Sequence, residues 1–257
     1  MHSDMILSPT STDLLLAALF FAVAVLYSSV GHAGASGYIA AMALLGFAPE
    51  QMRPTALALN LLVGGIGLLR FWRGGHVRWR NVLPFVLASA PAAFLSAQVT
   101  LPKESYSLLL GIVLLVAALG VFRHASRAES EDAAALGGTV PWSIGLLVGG
   151  AIGVLSGLTG TGGAIFLTPM LLFAHWMPTR EASGTSVAFV WINSLTGLAG
   201  LLQSGQSLPT LLPVWLGVVA VGALIGTQMG LKWLPVRNLR YALGVVLLIA
   251  AGKLIFT

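Results

Sequence analysis

The sequence predicts an all-α integral membrane protein made of two homologous halves that cross the bilayer in opposite directions. Three observations carry this reading: an apolar composition with little charge, an ordered internal repeat, and basic residues gathered on one side of the predicted topology. Each half reads as a broken, re-entrant helix hairpin followed by three transmembrane helices, which makes an inverted-topology repeat.

Of 257 residues, 57% are hydrophobic and 8% charged, and the mean hydropathy is +0.92. A soluble domain carries roughly 25% charged residues, so this chain cannot cover a water-facing surface. Apolar stretches of about 17 to 22 residues recur along it, the length that a hydrocarbon core of roughly 30 Å demands. There is no cysteine, which removes disulfides and thiol catalysis. The net charge of +5 comes in short loop clusters. Excess Lys and Arg of this kind mark cytoplasmic loops, whereas a nucleic-acid face would interleave them with stacking aromatics. Met1 to Asp13 holds Asp4 and Asp13 but no Lys or Arg. The basic n-region of a cleaved signal peptide is missing there, so the first apolar run is expected to remain.

The repeat rests on four landmarks in one order. LGIVLLVAA (Leu110 to Ala118) matches LGVVLLIAA (Leu243 to Ala251), and Leu101-Pro102 matches Leu234-Pro235. LSAQV around Gln98 matches IGTQM around Gln228, and VGHAGASGY (Val30 to Tyr38) matches SGLTGTGGA (Ser156 to Ala164). Two apolar helices can match by composition alone; Gly and Gln landmarks kept in the same order, with offsets drifting only from about 126 to 133, point to duplication. The predicted units are residues 1–122 and 141–257, joined by a polar linker at 123–140 that carries Glu129, Glu131 and Asp132. In each half an apolar helix (Asp13 to Val30; Trp142 to Ser156) runs into a Gly/Ser/Thr break. A shorter piece follows (Tyr38 to Phe47; Ala164 to Trp176). The three full helices are Arg53 to Trp72, Asn81 to Thr100 and Ser105 to Phe122 in the first half. Their counterparts are Glu181 to Gln203, Leu208 to Leu231 and Val236 to Phe256.

Charge decides whether each half crosses an odd or an even number of times. If the broken element is one continuous span, the 13 Lys and Arg divide almost evenly between the two sides. If the chain turns back at the break, Arg70, Arg73, Arg78, Arg80, Arg123, Arg127, Arg180, Lys232, Arg237 and Arg240 share one side. Arg53, Lys103 and Lys253 are then left on the other. The second division obeys the positive-inside rule and orients the halves oppositely.

The two breaks are the candidate binding site. Gly31, His32, Gly34, Ser36 and Gly37 interrupt one apolar run, and Gly157, Thr159, Gly160, Thr161, Gly162 and Gly163 interrupt its partner. Irregular backbone survives at membrane depth only when buried in protein or facing a watery cavity. The short helix after each break aims unsatisfied N–H groups and a partial positive charge back at it. Two inverted halves would point two such ends at one centre, where a small anion fits and hydroxyls add neutral donors. Close helix packing through small residues is the competing explanation; it is the one expected for Gly64, Gly67, Gly149, Gly153, Gly222 and Gly226.

On these residues the chain resembles the TauE/SafE family of sulfite and organosulfonate exporters, also called the toluene-sulfonate uptake permease family. The second half carries the pattern as GLTGTGGAIFLTPMLL (Gly157 to Leu172) and EASGTSVAFVWINSLTG (Glu181 to Gly197). The first half matches more loosely, through GHAGASGYIA and PTALALN (Pro54 to Asn60). It departs from the Gly-Gly core, with Ser36-Gly37 opposite Gly162-Gly163 and His32 opposite Leu158. The resemblance implies a multi-pass protein of the bacterial inner membrane that transports sulfite, sulfonates or related sulfur-containing anions.

Other polar residues within apolar runs are expected to face the protein interior, because a buried amide without partners costs a few kcal/mol. They are Asn60, Thr185, Ser186 and Asn193 on the second full-length elements of the halves, with Gln98 and Gln228 on the next. His32 is the ionisable side chain expected at depth, hence the candidate for proton coupling. A neutral histidine bonded to a carbonyl freed by the break is the alternative. All eight Asp and Glu fall in loops or at helix ends. The leading reading is an anion transporter working by alternating access, not an enzyme, with the anion and lipid as partners and no cofactor, metal or nucleic acid. An uncoupled channel or uniporter stays open beside it, as does a homo-oligomer.

Overall fold

The computed structural model describes residues 10–29, 33–127, 140–232 and 236–256. Gly31, His32, most of the inter-repeat linker and the N-terminal segment before Thr10 therefore lie outside the described residues, as does Trp233, expected in an interfacial belt. Among the described residues the chain forms ten helices, and no strand. The first half contributes α1 (Ser11–Ser29), α2 (Ala35–Leu44), α3 (Pro49–Arg73), α4 (Trp79–Ala97) and α5 (Lys103–Arg127). The second contributes α6 (Trp142–Thr159), α7 (Ala164–Phe173), α8 (Thr179–Gln203), α9 (Leu212–Lys232) and α10 (Val236–Phe256).

Among the described residues six helices, α1, α3, α4, α5, α6 and α8, are long and apolar enough to cross a membrane. By contrast α2 and α7 have 10 residues each, about 15 Å of helix and half of a hydrocarbon core. Each hairpin thus joins a full-length helix to a half-length one. The outward surface is apolar: on α5, Leu108, Ile112, Val116 and Leu119 are exposed while Leu110, Leu114, Ala117 and Ala118 are buried. Trp72, Trp79 and Trp142 are exposed near helix ends, as an aromatic belt requires.

The halves interlock. On α6, Gly145, Gly149, Gly153 and Gly157 face Pro84, Phe85, Ser89 and Ala93 of α4 in ascending order, so the two helices are parallel. With the halves exchanged, Gly222 and Gly226 of α9 face Phe21 and Val25 of α1, again in parallel. A Cβ at Gly149 or Gly226 would overlap the carbonyl of Phe85 or Val25. Helices in lipid associate by such close backbone approach, since apolar burial gives them no preference for one another. Two further interfaces are antiparallel. Leu57, Asn60, Gly64 and Gly67 of α3 meet Gly197, Ser194, Trp191 and Val187 of α8. Gly111 of α5 faces Ala251 and Ile255 of α10, and Gly244 faces Phe122.

One boundary differs from expectation with consequences for the site. The sequence reading starts the first full helix after the break at Arg53. The helix instead begins at Pro49, with Pro54 inside it. Arg53 is thereby drawn out of the loop where the charge argument placed it and is 3% exposed.

Candidate functional site

Both interruptions are real departures from helix. In the second, α6 ends at Thr159 and α7 begins at Ala164. Gly160, Gly162 and Gly163 have φ of 80°, 74° and 85°, a left-handed region that costs other residues roughly 1–2 kcal/mol each. In the first, Gly34 stands at φ 103° immediately before α2. Glycine at these points reverses the chain, and neither Gly34 nor Gly163 supplies a side-chain cap to the helix it starts.

The two breaks meet. A small cavity is lined by Ala33, Gly34, Ala35 and Ser36 from the first, by Thr161 and Ala164 from the second, and by Tyr27, Asn60, Ile165 and Val190 around them. It holds about 10 Å³, no more than one water occupies. A sulfonate cannot enter without the hairpins separating.

Asn60 stands between the breaks. Its Oδ1 accepts from the Ala35 N–H at 3.1 Å, and its Nδ2 donates to Ser194 Oγ at 2.8 Å. A Cβ on Gly162 would lie 2.7 Å from that Nδ2. The Ser36 hydroxyl pairs with Tyr27 at 2.7 Å, and Thr159 with Thr161 at 2.9 Å. Asn193 accepts from Ser89 Oγ at 2.8 Å and faces Gly163, while its Nδ2 has no partner among the described residues.

Other expected residues lie elsewhere. Thr185 is buried with its hydroxyl on Met177 Sδ, 3.5 Å away, and the Ser186 hydroxyl is buried without a partner among the described residues. Gly37 packs against Val23 and Tyr27 of α1. Gln98 is half-buried at the end of α4, donating to the Phe94 carbonyl, and Gln228 is exposed on α9; neither lines the cavity.

Sequence reading missed the buried cation beside the second break. Arg53 donates through Nη2 to the carbonyls of Ala97 (2.6 Å) and Gly157 (2.8 Å), and through Nη1 to Val99 (3.2 Å). Tyr106, also buried, donates to the Thr159 carbonyl at 3.1 Å. On α10, Lys253 donates to the Ala43 and Leu44 carbonyls, which close the far end of α2. Nothing in the sequence set Arg53 apart from a loop cation, since Glu50 lies three residues before it.

Interlocked transmembrane helices around a polar, doubly interrupted centre define a multi-pass membrane protein of the transporter class. The chain belongs to the sulfite exporter TauE/SafE family, whose description matches residues 15–254. It is 43% identical over 241 residues to the probable membrane transporter protein y4hK of Sinorhizobium fredii, covering 94% of this chain and 97% of that one. A probable membrane transporter protein of Xylella fastidiosa is 30% identical over 173 residues, 63% of this chain and 64% of its own. The probable membrane transporter protein YunE of Bacillus subtilis is 23% identical over 228 residues, 81% of each chain. No solved structure matches.

Proposed function

We propose that the protein carries small anions, of the sulfite and sulfonate class, by alternating access around the cavity where the two breaks meet. The observation that carries this is the convergence of two half-length helices, each beginning at a left-handed glycine, on one buried polar point. Their amide ends favour negative charge. The binding set is the backbone of Gly34, Gly160, Gly162 and Gly163 with Ser36, Asn60, Thr159, Thr161 and Asn193; Gly31 and His32 belong to the same stretch of sequence. An inverted-topology repeat supplies the moving parts. It is supported by the antiparallel α3/α8 and α5/α10 pairs and the parallel α4/α6 and α1/α9 pairs, because four crossings per half would make α3 and α8 parallel. The tightness of the cavity fits an occluded state that opens as one hairpin moves against the other half.

An uncoupled uniporter or channel is the second reading. It is favoured by the position of the described carboxylates, since Asp13, Glu50, Glu104 and Glu181 are not buried. The test is uptake of radiolabelled sulfite and toluenesulfonate into proteoliposomes with and without a proton gradient. Wild type is expected to exceed empty liposomes and Gly162→Leu to fall to background while still eluting as a discrete species in detergent. Wild-type flux at background, or full flux in Gly162→Leu, would reject the proposal; gradient-independent flux would select the uniporter.

A further inference from the structure

The parallel packing of α4 and α6 creates an electrostatic difficulty at the second break. Parallel helices place their carbonyl ends side by side, and each such end carries about half a negative charge. Here these are the ends at Ala97 and Thr159. The opposing amide end of α7 contributes only about half a positive charge. Left alone, the break would be negative by about half a charge and would repel the ligand that the amide end invites.

Arg53 sits at that junction. A Cβ on Gly160 would be 3.0 Å from its Cα, and its stem runs along the break. One guanidinium nitrogen bridges the two ends, from Ala97 of α4 to Gly157 of α6. Three more carbonyls at this end of α6 are also occupied: Leu155 by the Thr159 hydroxyl, Ser156 by the Gly160 N–H, and Thr159 by Tyr106. The charge changes the balance from about minus one half to about plus one half. Arg53 does not line the cavity, so it acts through the helix ends. The Nε of this buried side chain has no partner among the described residues, as expected of a group held by the charge it neutralises and not by a full set of hydrogen bonds.

We propose that Arg53 is a positioning residue that sets the sign of the central site: by neutralising the joined carbonyl ends of α4 and α6 it leaves only amide ends facing the anion. The inference rests on the anion-transport reading above. It requires that affinity depend on the charge of the ligand, and that the dependence follow the charge at position 53.

The experiment compares a dianion with a monoanion of similar size. Sulfite, at a pH where it is doubly ionised, and methanesulfonate are measured in proteoliposomes by uptake or by mutual inhibition. Arg53→Gln is expected to weaken sulfite about tenfold more than methanesulfonate, the scale of one charge at moderate effective dielectric. Arg53→Lys, which keeps the charge and loses the fork, is expected to hold the ratio within about twofold of wild type. A merely structural role would lower both affinities or the amount of folded protein without moving the ratio. Should Arg53→Gln fail to fold, Tyr106→Phe decides: baring the Thr159 carbonyl should raise the sulfite KM about threefold, and an unchanged KM overturns the inference. If wild type carries neither anion, the transport reading itself falls. If it carries both and Arg53→Gln leaves their ratio unchanged, only the role of Arg53 falls.

Discussion

The two breaks share a Gly-rich sequence pattern, yet the protein engages them with different chemistry. At the first, the amide end of α2 is taken up by the protein, through Ala35 N–H on Asn60, and Ser36 is tied to Tyr27. At the second, the carbonyl end is taken up, by Arg53 and Tyr106, and three glycines, Gly160, Gly162 and Gly163, are left-handed. At the first break Ala35 N–H and the Ser36 hydroxyl engage side chains of their own half; the second lies beside a buried cation from the other half. Similar sequence patterns therefore do not mean similar electrostatics, and on the anion-transport proposal the second break is the one flanked by a buried cation.

The largest test of that asymmetry is glycine substitution. Gly162→Ala should destabilise the protein by about 3 kcal/mol, combining left-handed strain with overpacking, because its Cβ would meet Val190 and Asn60. Gly34→Ala, whose nearest neighbour is the Tyr38 ring at 3.0 Å, should cost about half as much. Thermal unfolding in detergent measures both, and equal losses would remove the distinction. Next come the asparagines. Asn60→Ala strands the Ala35 N–H and the Ser194 hydroxyl, at about 2 kcal/mol. Asn193→Ala removes only an acceptor for Ser89 and should cost about 1 kcal/mol; the reverse order in chemical denaturation would show that Asn60 is not the bridge between the breaks. The smallest effect is expected of the hydroxyl pairs. Tyr27→Phe and Thr159→Val should each cost about 1 kcal/mol, with anion KM rising only for Thr159→Val, whose pair lies in the break beside Arg53.

The sequence made much of this legible. Hydropathy and the repeat located ten elements to within a few residues, because crossing lipid demands length and apolarity that a chain cannot disguise. Gly160, Gly162 and Gly163 announced the second break, since no other residue adopts those angles cheaply. Gln98 and Gln228 misled: they are matched in the repeat, but one ends a helix and the other is exposed. Register fixes where a residue falls along a helix and leaves open which way that helix is rotated.

What the chain determines by itself is local: which segments are helices, where glycine breaks them, and that there are two of each. The partners across the fold were decided only in three dimensions. Arg53 lies 104 residues from Gly157 and Asn60 lies 134 from Ser194, and no periodicity encodes such pairs. Whether a cation in a helix faces water or a neighbouring helix end depends on where the other half packs. The sign of the site is thus a property of the assembled fold, because helix-end charges add or cancel according to the direction in which their neighbours run.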